Sequence, residues 1–255
     1  MAGPMNITKT SEVESLLFDL KLIAEVNLPT RWANFRMLGF EGLRAASALG
    51  PEHQETALAL VLGDIHAPHP LVRIHSQCTT GDVFHSLRCD CRDQLHLALR
   101  TIADEGSGIL LYEHQEGRGI GLMEKLRAYA LQDQGLDTIA ANLELGHAVD
   151  QRDYRLVVSI LHFLKISSLR LMTNNPEKIN AVLESGIEIT SRVAADVVQN
   201  PHSAHYMAVK REKLGHFSGA TEADLGARRL VPSVGHADAG GDERDYLAAS
   251  IESRS

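Results

Sequence analysis

"CTTGDVFHSLRCDC", residues 78–91, holds all three cysteines of this 255-residue chain. Ten residues separate the first cysteine from the second, and one separates the second from the third. If the end of the segment is extended, Cys89 and Cys91 point to the same side, because side chains alternate along a strand. Gly81 and Asp82 are turn formers, so the chain can fold back and bring Cys78 to the other two. Three converging thiolates suit Zn²⁺. Three protein ligands rather than four describe a catalytic site that keeps a position for water; His75 or His85 as a fourth would close it into a structural one. The plainer alternative is a set of buried free thiols, since cysteine packs as a small hydrophobe.

Working outward, helical and strand patterns alternate. Upstream, "ALALVLG" (57–63) reads as a short buried strand and "LVRIHSQC" (71–78) as an alternating one. Downstream, "CRDQLHLALRTIADEG" (91–106) reads as a helix ending on glycine, and "GILLYEH" (108–114) as a buried strand. "GLMEKLRAYALQDQG" (121–135) and "DYRLVVSILHFLKI" (153–166) have helical periodicity, "LRLMTN" (169–174) is a strand, and "NPEKINAVLESG" (175–186) is a helix with Pro176 in its first turn. The alternation predicts an α+β fold with α/β-like alternation: a mixed sheet packed with helices in a single catalytic domain over 26–218. Residues 1–25 read as a leader that is at most loosely docked. Residues 219–255 are small, polar and aperiodic, and read as a disordered tail.

Two strand-to-helix junctions have the look of anion sites. In "EHQEGRGIGL" (113–122) the glycines let backbone amides approach a phosphate, and Arg118 can grip it with a forked guanidinium. In "TNNPEKI" (173–179) the candidates are Thr173 and Lys178. Each has an ordinary reading beside it: a glycine turn with a surface arginine, and a threonine that merely caps a helix. "AVDQRDY" (148–154) sets Asp150 and Arg152 before a helix, where an ion-paired cap is the ordinary reading. Tyr129, on an amphipathic helix, reads by itself as core.

Apolar content of 44% and charged content of 23% are those of a soluble globular protein. No run is long and apolar enough to span a bilayer. The first residues lack the basic head and apolar run of a secretory signal, so the expected location is the cytoplasm, with no membrane partner. An odd cysteine count there speaks against a disulfide framework. A net charge of −8 argues against a nucleic-acid partner, which would need a basic face, but leaves room for one small anion in a locally basic pocket.

Taken together, "VRIHSQCTTGDVFHSLRCDC" (72–91), "QEGRGIGLMEKLRAYALQDQGLDT" (115–138), "DQRDY" (150–154) and "TNNPEKI" (173–179) resemble, in order and spacing, the GTP cyclohydrolase II family, which commits GTP to riboflavin synthesis. The resemblance runs from "LPTRWANF" at 28 to "KLGHF" at 217. It implies an α+β enzyme that opens the guanine imidazole ring of GTP. The products are formate, pyrophosphate and 2,5-diamino-6-ribosylamino-4(3H)-pyrimidinone 5′-phosphate. It implies Cys78, Cys89 and Cys91 as ligands of a catalytic zinc, Mg²⁺ with the triphosphate, and a homodimer. Arg73, Ile74, His75, Ser76, Gln77, Gln94, Glu116, Gly117, Arg118, Thr138, Thr173 and Lys178 match positions that hold GTP. Asp150 matches a proton acceptor, Arg152 a nucleophile toward the α-phosphate, and Tyr129 a tyrosine near the reacting ring. Because a guanidinium is protonated at neutral pH, a purely electrostatic Arg152 would occupy the same spot.

Gln77 stands where the family usually has glutamate, and Arg92 where it usually has glycine. Neither removes a metal ligand or a catalytic group. Two other readings stand beside the first: a paralogue that performs this step for a flavin-like or deazapurine secondary metabolite, and a catalytically degenerate homologue that binds nucleotide as a regulatory or scaffold subunit.

Overall fold

The apolar runs read as buried strands form the middle of a seven-stranded sheet. The computed structural model of the chain describes residues 18–44, 53–148 and 150–197. The strands are β1 (Asp19–Pro29), β2 (Asn34–Arg44), β3 (His53–Leu62), β4 (Leu71–Ser76), β5 (Gly108–Glu113), β6 (Ser168–Met172) and β7 (Glu188–Val193). The α-helices are α1 (Cys91–Glu105), α2 (Leu122–Asp133), α3 (Thr138–Glu144), α4 (Arg155–Phe163) and α5 (Pro176–Glu184). A π-type turn, Thr79–Val83, precedes α1, and a 3₁₀ turn, Glu116–Gly119, precedes α2.

Strand order is β1-β2-β3-β5-β4-β6-β7. From β1 to β5 the neighbours are antiparallel, and from β5 to β7 they are parallel. The sheet is mixed and the fold α+β, as expected. Alternation divides each central strand between two cores. Val72 and Ile74 of β4, with Ile109 and Leu111 of β5, pack with Leu156, Val157, Ile160 and Leu161 of α4. Leu71 and Leu110 pack with Ala98, Leu99 and Ile102 of α1 on the other face. Cover on both faces explains why these strands read as near-continuous apolar runs.

Several elements differ from expectation. Residues 19–25, assigned to the leader, form the first part of β1. That strand pairs along its length with β2, yet most of its side chains are exposed, so it lacks the apolar signature of a strand. β2 was hidden by its two glycines, α3 by its shortness and β7 by side chains that are mostly exposed or half-buried. The strand expected over 71–78 ends at Ser76. The remainder of the leader and the tail over 219–255 lie outside the described residues.

Strands β4, β5 and β6 run parallel, so their carboxyl ends lie on one edge, where Ser76 stands opposite Glu113. The connections that leave this edge are the cysteine loop, the glycine turn and the Thr173–Pro176 junction. A crevice beyond the carboxyl ends of parallel strands is the usual place for a ligand in such a sheet.

Candidate active site

Asp82 folds the cysteine loop. Its carboxylate accepts hydrogen bonds from the Cys78 amide (3.0 Å) and the Tyr112 hydroxyl (2.9 Å), and lies 3.2 Å from His75 Nε2. This return brings the Sγ atoms of Cys78, Cys89 and Cys91 within 4.8 Å of one another, with Cys78 and Cys89 3.6 Å apart. Cys91 is the first residue of α1, so it meets Cys89 through the turn into the helix rather than by alternation along a strand. Gly81 lines this cradle: a Cβ there would lie 2.9 Å from Cys89 Sγ and 3.1 Å from Cys78 Sγ.

The donor set fits a soft divalent metal. Hydrogen bonds from Cys89 and Cys91, helped by the Lys125 ammonium, draw the Cys78 thiol far below its ordinary range. The same bonds push Cys89 up to about 11 and Cys91 well above the usual thiol value. Crowding disfavours ionising all three thiols together, and a bound cation would offset that cost as protons leave. Among the described residues no histidine joins the cluster. His75 is held by Asp82 and stacks on Tyr112 at 5.5 Å, and His85 is exposed. Among the described residues the cluster is the three cysteines alone.

Beside the thiols lies a buried, charged floor. Ser76 donates its hydroxyl proton to Glu113 Oε1 (2.5 Å), which leaves its oxygen to accept from Lys178 Nζ (3.3 Å) and Arg152 Nη1 (3.3 Å). Lys178 also donates to the Ile74 carbonyl (2.8 Å). Glu113 is 1% exposed and Lys178 4%. Burial pushes the Glu113 carboxyl up and the Lys178 ammonium well down, because both charged forms lose water. Arg73 donates to the Met172 carbonyl (3.1 Å) and to Gln94 Oε1 (2.8 Å), and burial lowers it to about 10. Burial acts against charge on Arg152 as well, but its paired hydrogen bonds to Asp150 outweigh this and hold the guanidinium protonated. The same bonds overcome the effect of burial on Asp150 and hold its carboxyl below the usual value.

The glycine turn forms one wall. Gly117 and Arg118 both take left-handed backbone angles (φ 62°). Arg118 O accepts from Gln151 N (3.0 Å), which ties the turn to the Asp150–Arg152 loop. The two chains approach so closely that a Cβ at Gly119 (φ 92°) would lie 2.9 Å from the backbone of Gln151. Glu116 faces inward: one carboxylate oxygen accepts from Thr79 N (2.6 Å) and the other from Lys125 Nζ (2.6 Å) and Gly117 N (3.2 Å).

Most of the expected residues line one cavity. Arg73, His75, Ser76, Gln77 and Cys78 reach it from the end of β4, Cys91 and Gln94 from α1, Glu116, Gly117 and Arg118 from the glycine turn, Arg152 from its loop, and Thr173 and Lys178 from the β6–α5 junction. Others do not line it. Ile74 is fully buried in the α4-side core, because alternation turns it away from Arg73 and His75; its carbonyl alone contributes, through Lys178. Cys89 belongs to the thiol cluster behind the lining. Asp150 stands behind Arg152. Thr138 begins α3, which packs on α2. Tyr129 lies under Arg88 (4.8 Å) and Lys125 (5.7 Å) in cation–π contact. Thr173 is not the cap of α5: Asn175 is, and Thr173 Oγ1 accepts from the Asn175 amide (3.0 Å). Arg92 pairs with Asp93 (3.7 Å) and is not among the lining residues.

Sequence reasoning missed Asp82 as the pin of the cysteine loop, Glu113 as the carboxyl of the floor, and Lys125 and Gln115 in the lining. Lys125 had one available signal: it lies four residues before Tyr129, on the same face of α2.

Comparison with known proteins identifies a family. The family described as GTP cyclohydrolase II matches residues 21–194. The chain is 52% identical over 204 residues to GTP cyclohydrolase-2 of Escherichia fergusonii, a match covering 80% of this chain and 99% of the relative. It is 50% identical over 206 residues to GTP cyclohydrolase-2 of Klebsiella pneumoniae (80% and 99%), and 52% identical over 199 residues to that of Escherichia coli (78% and 97%).

Proposed function

This chain belongs to the GTP cyclohydrolase II family, and from that premise we propose that it hydrolyses GTP, opening the guanine imidazole ring with loss of formate and pyrophosphate in the first step of riboflavin biosynthesis. The observation that carries the reading is the meeting of two unlike sites in one cavity. A cluster of three thiols opens onto the same space as Arg73, Arg118, Arg152 and Lys178, in a chain of net charge −8. Local positive charge in an acidic protein suits a small polyanion, and thiols beside it suit a metal-assisted hydrolysis of what that anion carries.

Zn²⁺ held by Cys78, Cys89 and Cys91 would supply a water of lowered pKa for attack on carbon 8 of the base. Arg118 and Lys178, with Mg²⁺, would bind the triphosphate by charge. The ion pair with Asp150 keeps Arg152 protonated, which supports an electrostatic grip on the α-phosphate over nucleophilic attack. The same pair makes Asp150 a weak base and supports its role as the group that orients Arg152. Gln94 holds Arg73 in place and is itself held by Asp90 (2.6 Å). Tyr129 and Thr138 stand outside the lining and stay in the proposal through the family resemblance alone. Action as a homodimer in the cytoplasm belongs to the same proposal; edge strand β1 offers exposed Leu22, Ile23 and Val26 for such an interface.

The test is incubation of the protein with GTP, Mg²⁺ and Zn²⁺, with formate and pyrophosphate both quantified. Equal amounts of the two products are expected. Nucleotide binding with neither product formed would overturn the proposal.

A further inference from the structure

Lys125 is the residue whose contacts the proposed reaction leaves unused. It stands in the first half of α2, and its side chain reaches back over the cysteine loop. Nζ lies 3.1 Å from Cys78 Sγ, 3.0 Å from Thr80 Oγ1 and 2.6 Å from Glu116 Oε1. These contacts come from two separate elements, the cysteine loop and the glycine turn, and the ammonium has three protons to offer them. Its stem passes beside Tyr129, with Nζ 5.7 Å from the ring centroid. The side chain is only 11% exposed, and the Glu116 carboxylate that faces it 8%. A lysine so enclosed loses water and chain entropy, and it is compensated by a full set of partners, one of them a thiol of the metal cluster.

The charge balance gives that contact a purpose. Three thiolates around a divalent cation leave one excess negative charge. Sulfur also donates much electron density, which lessens the metal's pull on a bound water. An ammonium 3.1 Å from one sulfur withdraws density from it and cancels the excess charge. Glu116 fixes the ammonium there, and its other oxygen holds the Thr79 amide, next to Cys78 in the chain. The glycine turn and the metal loop are thereby locked to each other through one lysine.

We propose that Lys125 is a positioning residue for the metal reaction: it donates an N–H···S hydrogen bond to the Cys78 thiolate, tunes the electron density of the three-sulfur site, and couples that site to the glycine turn through Glu116. This rests on the reading of Cys78, Cys89 and Cys91 as the metal ligands. Lys125 borders the cavity, but the polar contacts of its ammonium are all to protein groups, Cys78, Thr80 and Glu116.

Cobalt is the probe that reads sulfur density directly. Wild type, Lys125→Met and Lys125→Arg are each reconstituted with Co²⁺, and the thiolate-to-cobalt charge-transfer band is recorded beside kcat and KM for GTP. Loss of a hydrogen bond to a thiolate raises its lone-pair energy, so the band of Lys125→Met moves to longer wavelength. kcat falls about ten-fold, the size of one charge-assisted hydrogen bond, while KM changes by less than about three-fold, because the ammonium is already engaged by protein partners. Lys125→Arg, which keeps both the donor and the ion pair, returns the band toward wild type. An unshifted band in Lys125→Met, or a shift that arginine does not reverse, overturns the role assigned to Lys125. If wild type itself shows no such band, it is the metal reading that fails. A purely structural lysine would lower thermal stability and leave the band where it was. Should Lys125→Met not fold, Lys125→Gln, which keeps a neutral N–H donor, is compared instead; a band displaced part of the way is expected, and an unmoved band overturns the proposal.

Discussion

The cavity has two halves built on opposite plans. The thiol cluster comes from a single stretch of fourteen residues, Cys78 to Cys91, bent back on itself by its own Asp82 and held from outside by Glu116. The charged floor comes from residues scattered between Arg73 and Lys178, joined through the hydroxyl of Ser76. The first half is a loop whose thiols belong to neither of the two sheet cores. The second is part of the sheet edge, with Glu113 and Lys178 nearly without water. A change in the loop should therefore cost chemistry and spare the fold. A change in the floor should cost both.

The sharpest test is Cys89→Ser. Loss of one of three thiolates should remove the metal, taking zinc from about one per chain to none and formate release down by at least about 10³-fold. Thermal unfolding should stay close to wild type; a collapse of the fold would show that the loop is structural. Gly81→Ala is its milder counterpart, because the added Cβ would meet the thiols at 2.9 and 3.1 Å. Weakened zinc retention in chelator competition is expected, with the sheet intact.

Arg152→Ala comes next. Pyrophosphate release should fall about 10²- to 10³-fold, the scale of one lost transition-state donor, while zinc content is unchanged. Arg152→Lys separates the roles of charge and shape. Lysine keeps the charge and loses the planar fork, so substantial remaining activity means that charge is what counts. Full activity in Arg152→Ala would remove this residue from the site.

In the floor, Glu113→Gln keeps an acceptor for Ser76 and removes the carboxyl that, ahead of Asp150, most favours charge on Lys178. With less compensation for buried positive charge, denaturant unfolding should show a loss of about 1–3 kcal/mol. Zinc stoichiometry should not move. An equal loss of zinc would mean that the two halves are not independent.

The smallest effect is expected at Gln77, the departure nearest the metal loop. Its amide nitrogen lies 3.1 Å from Thr79 Oγ1, and its side chain lines the cavity without joining the thiol cluster. Gln77→Glu restores the family's usual charge, and a charge-assisted hydrogen bond exceeds a neutral one by about 1–2 kcal/mol at most. Kinetics across GTP and Mg²⁺ concentrations should thus change by about ten-fold or less. A wild type that is inactive until glutamate is restored would mark a degenerate homologue.

The contrast between the halves also explains what could be read in advance. The cysteine loop was legible because its groups are close in sequence and of a rare type. β4, β5 and β6 were legible because burial on two faces makes their sequences almost wholly apolar. β1 was not, since its exposed side chains hide a strand held mainly by pairing with β2. Ile74 was carried into the site with its neighbours, and only the pleat, which turns alternate residues into the opposite core, removes its side chain. Glu113 and Lys125 went unnoticed because a glutamate ending a strand and a lysine on an amphipathic helix are ordinary until their surroundings are known.

By itself the sequence determined the kinds of chemistry available: three soft ligands within one foldable loop, glycines where a chain must take left-handed angles, and enough arginine and lysine near strand ends to bind an anion. Those properties are local, set by side-chain type and by backbone freedom over a few residues. The tertiary structure alone decided which charges would share a space. Lys178 reaches Ser76 across 102 positions, and Arg152 reaches it across 76, because parallel strands deliver their carboxyl ends to one edge. Burial there shifts the acidity of Glu113, Lys178 and Arg73, and the energy of removing a charge from water depends on the enclosure that distant segments build around it.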